Sequence, residues 1–208
     1  MKKYLCSIAC LLLLGSVAFA QVLASAIPND PGIWTIALFG GRQSNVGNNS
    51  SLAQTLYGIA GAYGLGNRTE LDLIYGYGSF SGVQGMAMQL SCYTLSLKYN
   101  LLMEVPLSLA LGASTTLLSQ KDNFAGSPNG NNYGFKILVS KVISSFIPYA
   151  CLNRSYTSLG GDSIATEVTL GGIWLAAPKW AWLAENIWQL QDSGYTSGQF
   201  SLCVAYTL

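Results

Sequence analysis

Ten stretches of this chain alternate apolar and polar residues with a period of two, and the connections between them alternate in length. The stretches run approximately over 33–42, 52–64, 69–79, 86–101, 106–119, 133–143, 147–157, 163–176, 179–191 and 198–208. A period of two predicts strands with one face unlike the other. Most are longer than the five or six residues usual in soluble sheets and match the length of a tilted strand that crosses a bilayer. The connections read "QSNVGNNSS", "LGNR", "FSGVQG", "MEVP", "QKDNFAGSPNGNN", "SSFI", "SLGGD", "AP" and "QDSGYTS". Long and short take turns along most of the chain. A soluble meander has no physical reason to sort its loops so, whereas a transmembrane β-barrel has long loops on one side and short turns on the other.

Composition supports a wall that faces lipid. Charged residues make up 9% of the chain and hydrophobic ones 50%, where soluble domains carry roughly 25% charge. The start of the chain is of another kind. In "MKKYLCSIACLLLLGSVAFAQ", Lys2 and Lys3 precede an apolar run from Tyr4 to Leu14, and Ala18-Phe19-Ala20 forms a small-x-small site. This predicts a secretory signal over 1–20, cut after Ala20, with a second possible cut at Ala24-Ser25-Ala26. Residues 21–32, with Pro28 and Pro31, read as a periplasmic tether, and 33–208 as the barrel. After the signal no apolar run approaches the roughly 20 residues of a spanning helix.

Of ten basic residues the signal removes two, leaving eight against nine acidic. That balance excludes the basic footprint of a nucleic-acid binder. Cys92, Cys151 and Cys203 remain, spread over distant segments, and read as small apolar side chains.

Tryptophan and tyrosine prefer membrane interfaces. Trp34, Tyr63, Tyr99, Trp174, Trp180, Trp182 and Tyr206 fall near the ends joined by short turns and predict a periplasmic girdle. Tyr75, Tyr77, Tyr133, Phe135, Trp188 and Phe200 lie near the opposite ends and predict an outer one. Plain aliphatics such as Leu107, Leu109, Leu111, Val168 and Leu170 lie between. The last segment, "GQFSLCVAYTL", then turns Phe200, Leu202, Val204, Tyr206 and Leu208 toward lipid. In these features the chain resembles the small bacterial outer-membrane β-barrels of the OmpA-like and OmpW-like kind. The resemblance implies an all-β, closed antiparallel up-and-down barrel of about ten strands, with eight possible, in contact with outer-membrane lipids and inserted by the barrel assembly machinery. Its last strand departs from that family's usual terminal aromatic by ending in Leu208.

The inner face reads as small and polar, as in Gly58, Ala60 and Ala62 or Ser108, Ala110, Gly112, Ser114 and Thr116, which leaves room for a narrow wet passage. An arginine placed at Ala205 is therefore expected to cost less than one at Val204. Charges assigned to the lumen are Glu70, Asp72, Lys98, Lys136, Arg154, Glu167 and Glu185, although the segment bearing Arg154 alternates weakly. Lys136, Arg154 and Glu167 are expected at one height near the outer mouth, with Glu70, Asp72 and Lys98 lower. Mixed signs in a confined space imply mutual pairing, and the sharper possibility is that they set ion preference in a pore.

The chain has no histidine, which removes Ser-His and Asp-His catalysis, and Glu167 and Glu185 stand some four residues out of register. No Cys/His cluster, calcium loop or phosphate loop is present, so no catalytic residue, metal or cofactor is expected. Function then reads as a non-catalytic barrel of the bacterial cell envelope, structural or surface-interacting through its loops. The alternatives are a narrow diffusion channel for ions or small solutes, and a soluble lipocalin-like carrier whose aliphatic rows line a cavity. Electrophoresis in SDS separates these: refolded mature protein should migrate differently unboiled and boiled, because a closed barrel keeps its inter-strand hydrogen bonds in detergent. Identical migration, with solubility in detergent-free buffer, would favour the carrier.

Overall fold

A computed structural model describes residues 27–44, 53–81, 88–104, 107–122, 129–159, 162–191 and 196–208. The signal read over 1–20 and the tether as far as residue 26 lie outside the described residues. Ten strands follow one another: β1 Trp34–Ser44, β2 Ala53–Gly66, β3 Thr69–Ser81, β4 Met88–Glu104, β5 Leu107–Asp122, β6 Asn129–Ser140, β7 Phe146–Thr157, β8 Ser163–Ala177, β9 Trp180–Gln191 and β10 Thr196–Thr207. Each pairs antiparallel with its sequence neighbours, and β1 closes on β10 from Thr35↔Thr207 to Ser44↔Gly198. The count is ten rather than eight.

The sixth strand begins four residues before the sequence suggests. Asn129 to Asn132 look like loop because asparagine and glycine fit strands poorly. Inside the barrel Asn132 donates from Nδ2 to Thr157 Oγ1 at 2.6 Å, so the amide is satisfied and the strand continues. At its other end the strand stops at Ser140, and Ser144 takes a positive φ of 56° in the turn to β7. The short turn "LGNR" has positive φ at Asn67 and Arg68, the two-residue type I′ geometry that matches strand twist. Bulges at Gly64/Gly66, Asn100/Leu102 and Leu175/Ala177 all lie beside short turns.

Register fixes the barrel's geometry. A row of paired residues leaving Thr35 passes Ala62, Asp72, Ser96, Ser114, Gly134, Ser155 and Ala165 and reaches Gln191 on β9. Ser44 lies nine residues above Thr35, and its row, taken through Gly198, meets β9 at Trp188, three residues short of Gln191. One circuit therefore climbs twelve residues. With a rise of about 3.3 Å per residue and strands about 4.8 Å apart, this tilts the strands by roughly 40° and closes a backbone ring about 20 Å across. Rows climb the axis by about 3 Å per strand.

The outward rows are apolar and open: Leu38, Tyr93, Leu117 and Leu202 are each more than half exposed. Such a surface excludes the soluble carrier, whose aliphatic rows would face inward. The aromatic side chains form two belts on it. Trp34 stacks with Tyr63 at 4.8 Å between centroids and Trp180 with Tyr206 at 4.8 Å, while Trp174 pairs with Trp182. With Tyr99 they occupy a band roughly 5 Å deep once the climb of the rows is included. Tyr75, Tyr77, Tyr133, Phe135, Trp188 and Phe200 form the upper band, joined by Tyr57, Tyr93 and Tyr156. Tyr57 meets Tyr77 and Tyr75 meets Tyr93, each at 5.0 Å. Leu65 and Leu107 below and Ile164 and Leu190 above extend the apolar zone to about 29 Å, somewhat taller than the roughly 25 Å hydrocarbon band of such barrels.

The interior is not the lining of small polar residues expected. Leu56, Ile74, Leu90, Leu138 and Ile187 point inward and are at most 4% exposed, so large apolar side chains fill the ring among the small ones. Ala205, at 5%, belongs to this packed interior, and an arginine there meets protein rather than water. Val204 lies close to the midpoint between Phe200 and Tyr206 on the lipid side. Val204→Arg should therefore destabilise the barrel by about 2 to 4 kcal/mol in urea unfolding from lipid vesicles; Ala205→Arg should be no milder, the reverse of what a wet lumen implies.

Candidate functional site: the charged interior

Among the described residues, six charged side chains are held inside the barrel by strand parity: Glu70 and Asp72 on β3, Lys98 on β4, Lys136 on β6, Glu167 on β8 and Glu185 on β9. None is more than 4% exposed. Arg154 is not among them. It lies exposed on the outer wall, where Nη1 donates to Thr166 Oγ1 at 3.1 Å. The inward members of β7 are Ile147, Tyr149, Cys151, Asn153, Ser155 and Thr157, which mix apolar and polar residues, while the outward row includes Pro148 and Ala150. Alternation in β7 therefore carries little information about which face is inward, and Asn153 takes the place proposed for Arg154.

Most of these groups lie on one register row. Glu70 pairs with Lys98, Lys98 with Gly112, Gly112 with Lys136, Lys136 with Asn153, and Asn153 with Glu167. Because rows climb, this one winds upward from the periplasmic end toward the outer mouth. Along it Lys98 Nζ forms an ion pair with Glu70 Oε1, and Asn153 Nδ2 donates to Glu167 Oε2 at 2.9 Å. Lys136 reaches across the lumen to Asp72, with Nζ 3.9 Å from Oδ2. The expected order of height holds, with Glu70 and Lys98 low on the row and Lys136 and Glu167 above them; the Lys136–Asp72 ion pair joins the two levels, and Arg154 drops out of the upper one. Glu185 stands apart from the row and accepts a hydrogen bond from Tyr149 Oη at 2.7 Å.

Two glycines make these long reaches possible. A Cβ on Gly112 would lie 2.7 Å from Cγ of Lys136, and one on Gly171 would lie 2.5 Å from the phenol carbon of Tyr149. Both side chains lie flat over a neighbouring strand because nothing projects from it. Tyr149 and Gly171 were not singled out from the sequence, and Gly112 was read only as a small inward residue; the signal present was an inward tyrosine facing, across one strand, an inward glutamate.

Within the segment read as tether and at its junction with β1, residues 27–33 are strapped to the inner wall of β1 to β3 at the periplasmic end. Asn29 donates its backbone N–H to Glu70 Oε2 and its side-chain Nδ2 to the Ala62 carbonyl at 3.2 Å, and accepts from Thr35 Oγ1 at 3.0 Å. Gly32 donates to the Gly64 carbonyl at 2.9 Å and Gly64 to that of Ile33 at 3.1 Å. Ile27 packs against the buried apolar side chains. Near the outer end, Gln43 Nε2 donates to Ser197 Oγ at 2.9 Å, which donates to Gln189 Oε1 at 3.3 Å. Among the described residues no group of three His, Cys, Asp or Glu side chains is placed to hold a metal ion.

No protein-family model and no curated protein matches the sequence. Solved structures do match the fold. An outer membrane channel of Pseudomonas putida F1 superposes with a TM-score of 0.58 at 11% identity, covering 88% of this chain and 98% of that one. The β domain of the Bordetella autotransporter Brka gives 0.57 at 13% identity, covering 85% and 99%. The translocator domain of the autotransporter NalP from Neisseria meningitidis gives 0.55 at 11%, covering 96% and 97%. At such identities the likeness is one of fold, and the chain shares the architecture of bacterial outer-membrane β-barrels.

Removing one member of a buried pair leaves the other charge uncompensated. Lys98→Met should therefore lower stability by about 3 to 5 kcal/mol, and the double variant Lys98→Met/Glu70→Gln should recover much of that loss. Urea titrations of the refolded variants measure both; equal losses would show that the pair's charges are not the cause.

Proposed function

We propose that this chain is a non-catalytic integral protein of the bacterial outer membrane, with a closed barrel that acts as a non-conducting scaffold and outer loops that make its surface contacts. The observation that carries this reading is the filled interior: six buried charges engaged with one another and with Tyr149, Asn153 and Asn29, among inward leucines and isoleucines. A diffusion pore keeps its charges in water, where selectivity requires them. Here they hold the walls together. The lack of histidine in the chain removes Ser-His and Asp-His catalysis. Insertion by the outer-membrane assembly machinery accords with the alternating last strand.

The second reading, a narrow channel, takes a definite form with Arg154 on the outer wall. The described interior then holds two basic and four acidic side chains, so any conducting path should prefer cations clearly rather than slightly. Planar-bilayer recording tests both readings. The refolded full chain is expected to show no steady conductance, and Ile27→Gly/Asn29→Asp, which sets a carboxylate beside Glu70 to loosen the strap, should leave it silent. A steady cation-selective current from the unaltered protein, shifted toward anions by Glu167→Lys, would overturn the scaffold reading in favour of the channel.

A further inference from the structure

The outer wall is not evenly filled. Between β1 and β5 a groove of about 670 Å³ runs up the lipid-facing surface, from Trp34 at the lower aromatic belt past Gly61, Leu73 and Leu95 to Tyr93 and Leu117 at the upper one. Its floor is low where side chains are small. At Gly61 an added Cβ would meet only the ring of Trp34, at 3.5 Å, and Thr115 stands between bulkier neighbours. A second hollow of about 440 Å³ shares Tyr93 and Leu117 with it and continues outward, lined by Ser119, Asn129, Asn131 and Ser158. The two form one path, apolar below the upper belt and lined with amides and hydroxyls above it.

We infer that this path binds an outer-leaflet lipid with a hydroxyl-rich, uncharged head group. The change from aliphatic to polar lining falls at the upper aromatic belt, which marks where hydrocarbon gives way to head groups. A lipid is the ligand whose own polarity changes at that level. The acyl chain lies against Leu73, Leu95 and Thr115. The head lies against Asn129, Asn131, Ser119 and Ser158. Among the described residues lining the upper hollow there is no carboxylate, amine or guanidinium, so recognition rests on neutral hydrogen bonds of the kind a sugar ring offers. The nearest outward cation on β5, Lys121, stands two residues farther out than Ser119. The backbone of Asn131 is engaged with Ser158, which fixes the rim of the hollow and leaves the amide side chain for a ligand.

The inference rests on the reading of this wall as lipid-facing, and heat-dependent migration in SDS tests that reading separately. Purified full-length protein is equilibrated in detergent with equimolar glucosyl diacylglycerol and phosphatidylglycerol of identical acyl chains, and retained lipid is counted by native mass spectrometry. The glucosyl lipid should be retained about five-fold over the phospholipid, the worth of roughly one net hydrogen bond. Asn129→Ala/Asn131→Ala should abolish the preference while leaving total retention near its starting value. Thr115→Phe, which fills the apolar groove from the lipid side, should reduce retention of both. Equal retention by the unaltered protein, a preference for phosphatidylglycerol, or a preference indifferent to the asparagine substitutions would overturn the proposal.

Discussion

A backbone that crosses hydrocarbon has no water to satisfy its N–H and C=O groups, so every one must find a partner within the protein. Here that requirement is met by the pairing of β1 with β10, without which two strands would present open edges to lipid. Closure has a geometric price. A sheet of ten strands closes on itself only with a stagger, here twelve residues, and the stagger determines what lies at each height. It brings seven aromatic residues from six strands into one periplasmic belt.

The same stagger turns a line of cross-strand neighbours into a rising spiral inside the ring. Four charges that appear scattered in the sequence, Glu70, Lys98, Lys136 and Glu167, fall on that spiral with Gly112 and Asn153 between them, and each finds an opposite charge or a polar group within reach. Lys136 leaves it by lying across Gly112, and Tyr149, which is off the spiral, crosses Gly171 to reach Glu185. In a low-dielectric interior such pairs contribute less to net stability than their attraction alone implies, because desolvation opposes it. What they provide is specificity: a register slip by one residue would turn every one of these groups into the bilayer.

The period of two, the alternating loop lengths and the paired aromatic belts made the barrel and its strand number legible from residue order, since each is a local pattern. Parity also placed six of the seven proposed interior charges on inward positions. It failed for Arg154 because β7 sets Tyr149 and Ile147 inward and Pro148 and Ala150 outward, so polarity no longer distinguishes the faces. It missed the packed state of the lumen for a different reason. The volume of an interior depends on how side chains from opposite walls interdigitate, which no single strand records. The strap was illegible too, since its partners Ala62, Gly64 and Glu70 lie more than 30 residues ahead, and two prolines in a polar stretch give no periodicity to read.

The strap's partners all belong to the first part of the barrel. Its hydrogen bonds go to Thr35 on β1, to Ala62 and Gly64 on β2 and to Glu70 on β3. The seam that completes the ring joins residues far apart in the chain, with the hydroxyls of Thr35 and Thr207 in contact across 172 positions. Contacts of such separation form late, because loop closure must precede them. The strap can therefore take its seat on a three-stranded sheet well before the last strand arrives. The remaining wall is then built around an occupied mouth, and nothing has to be threaded into a finished ring.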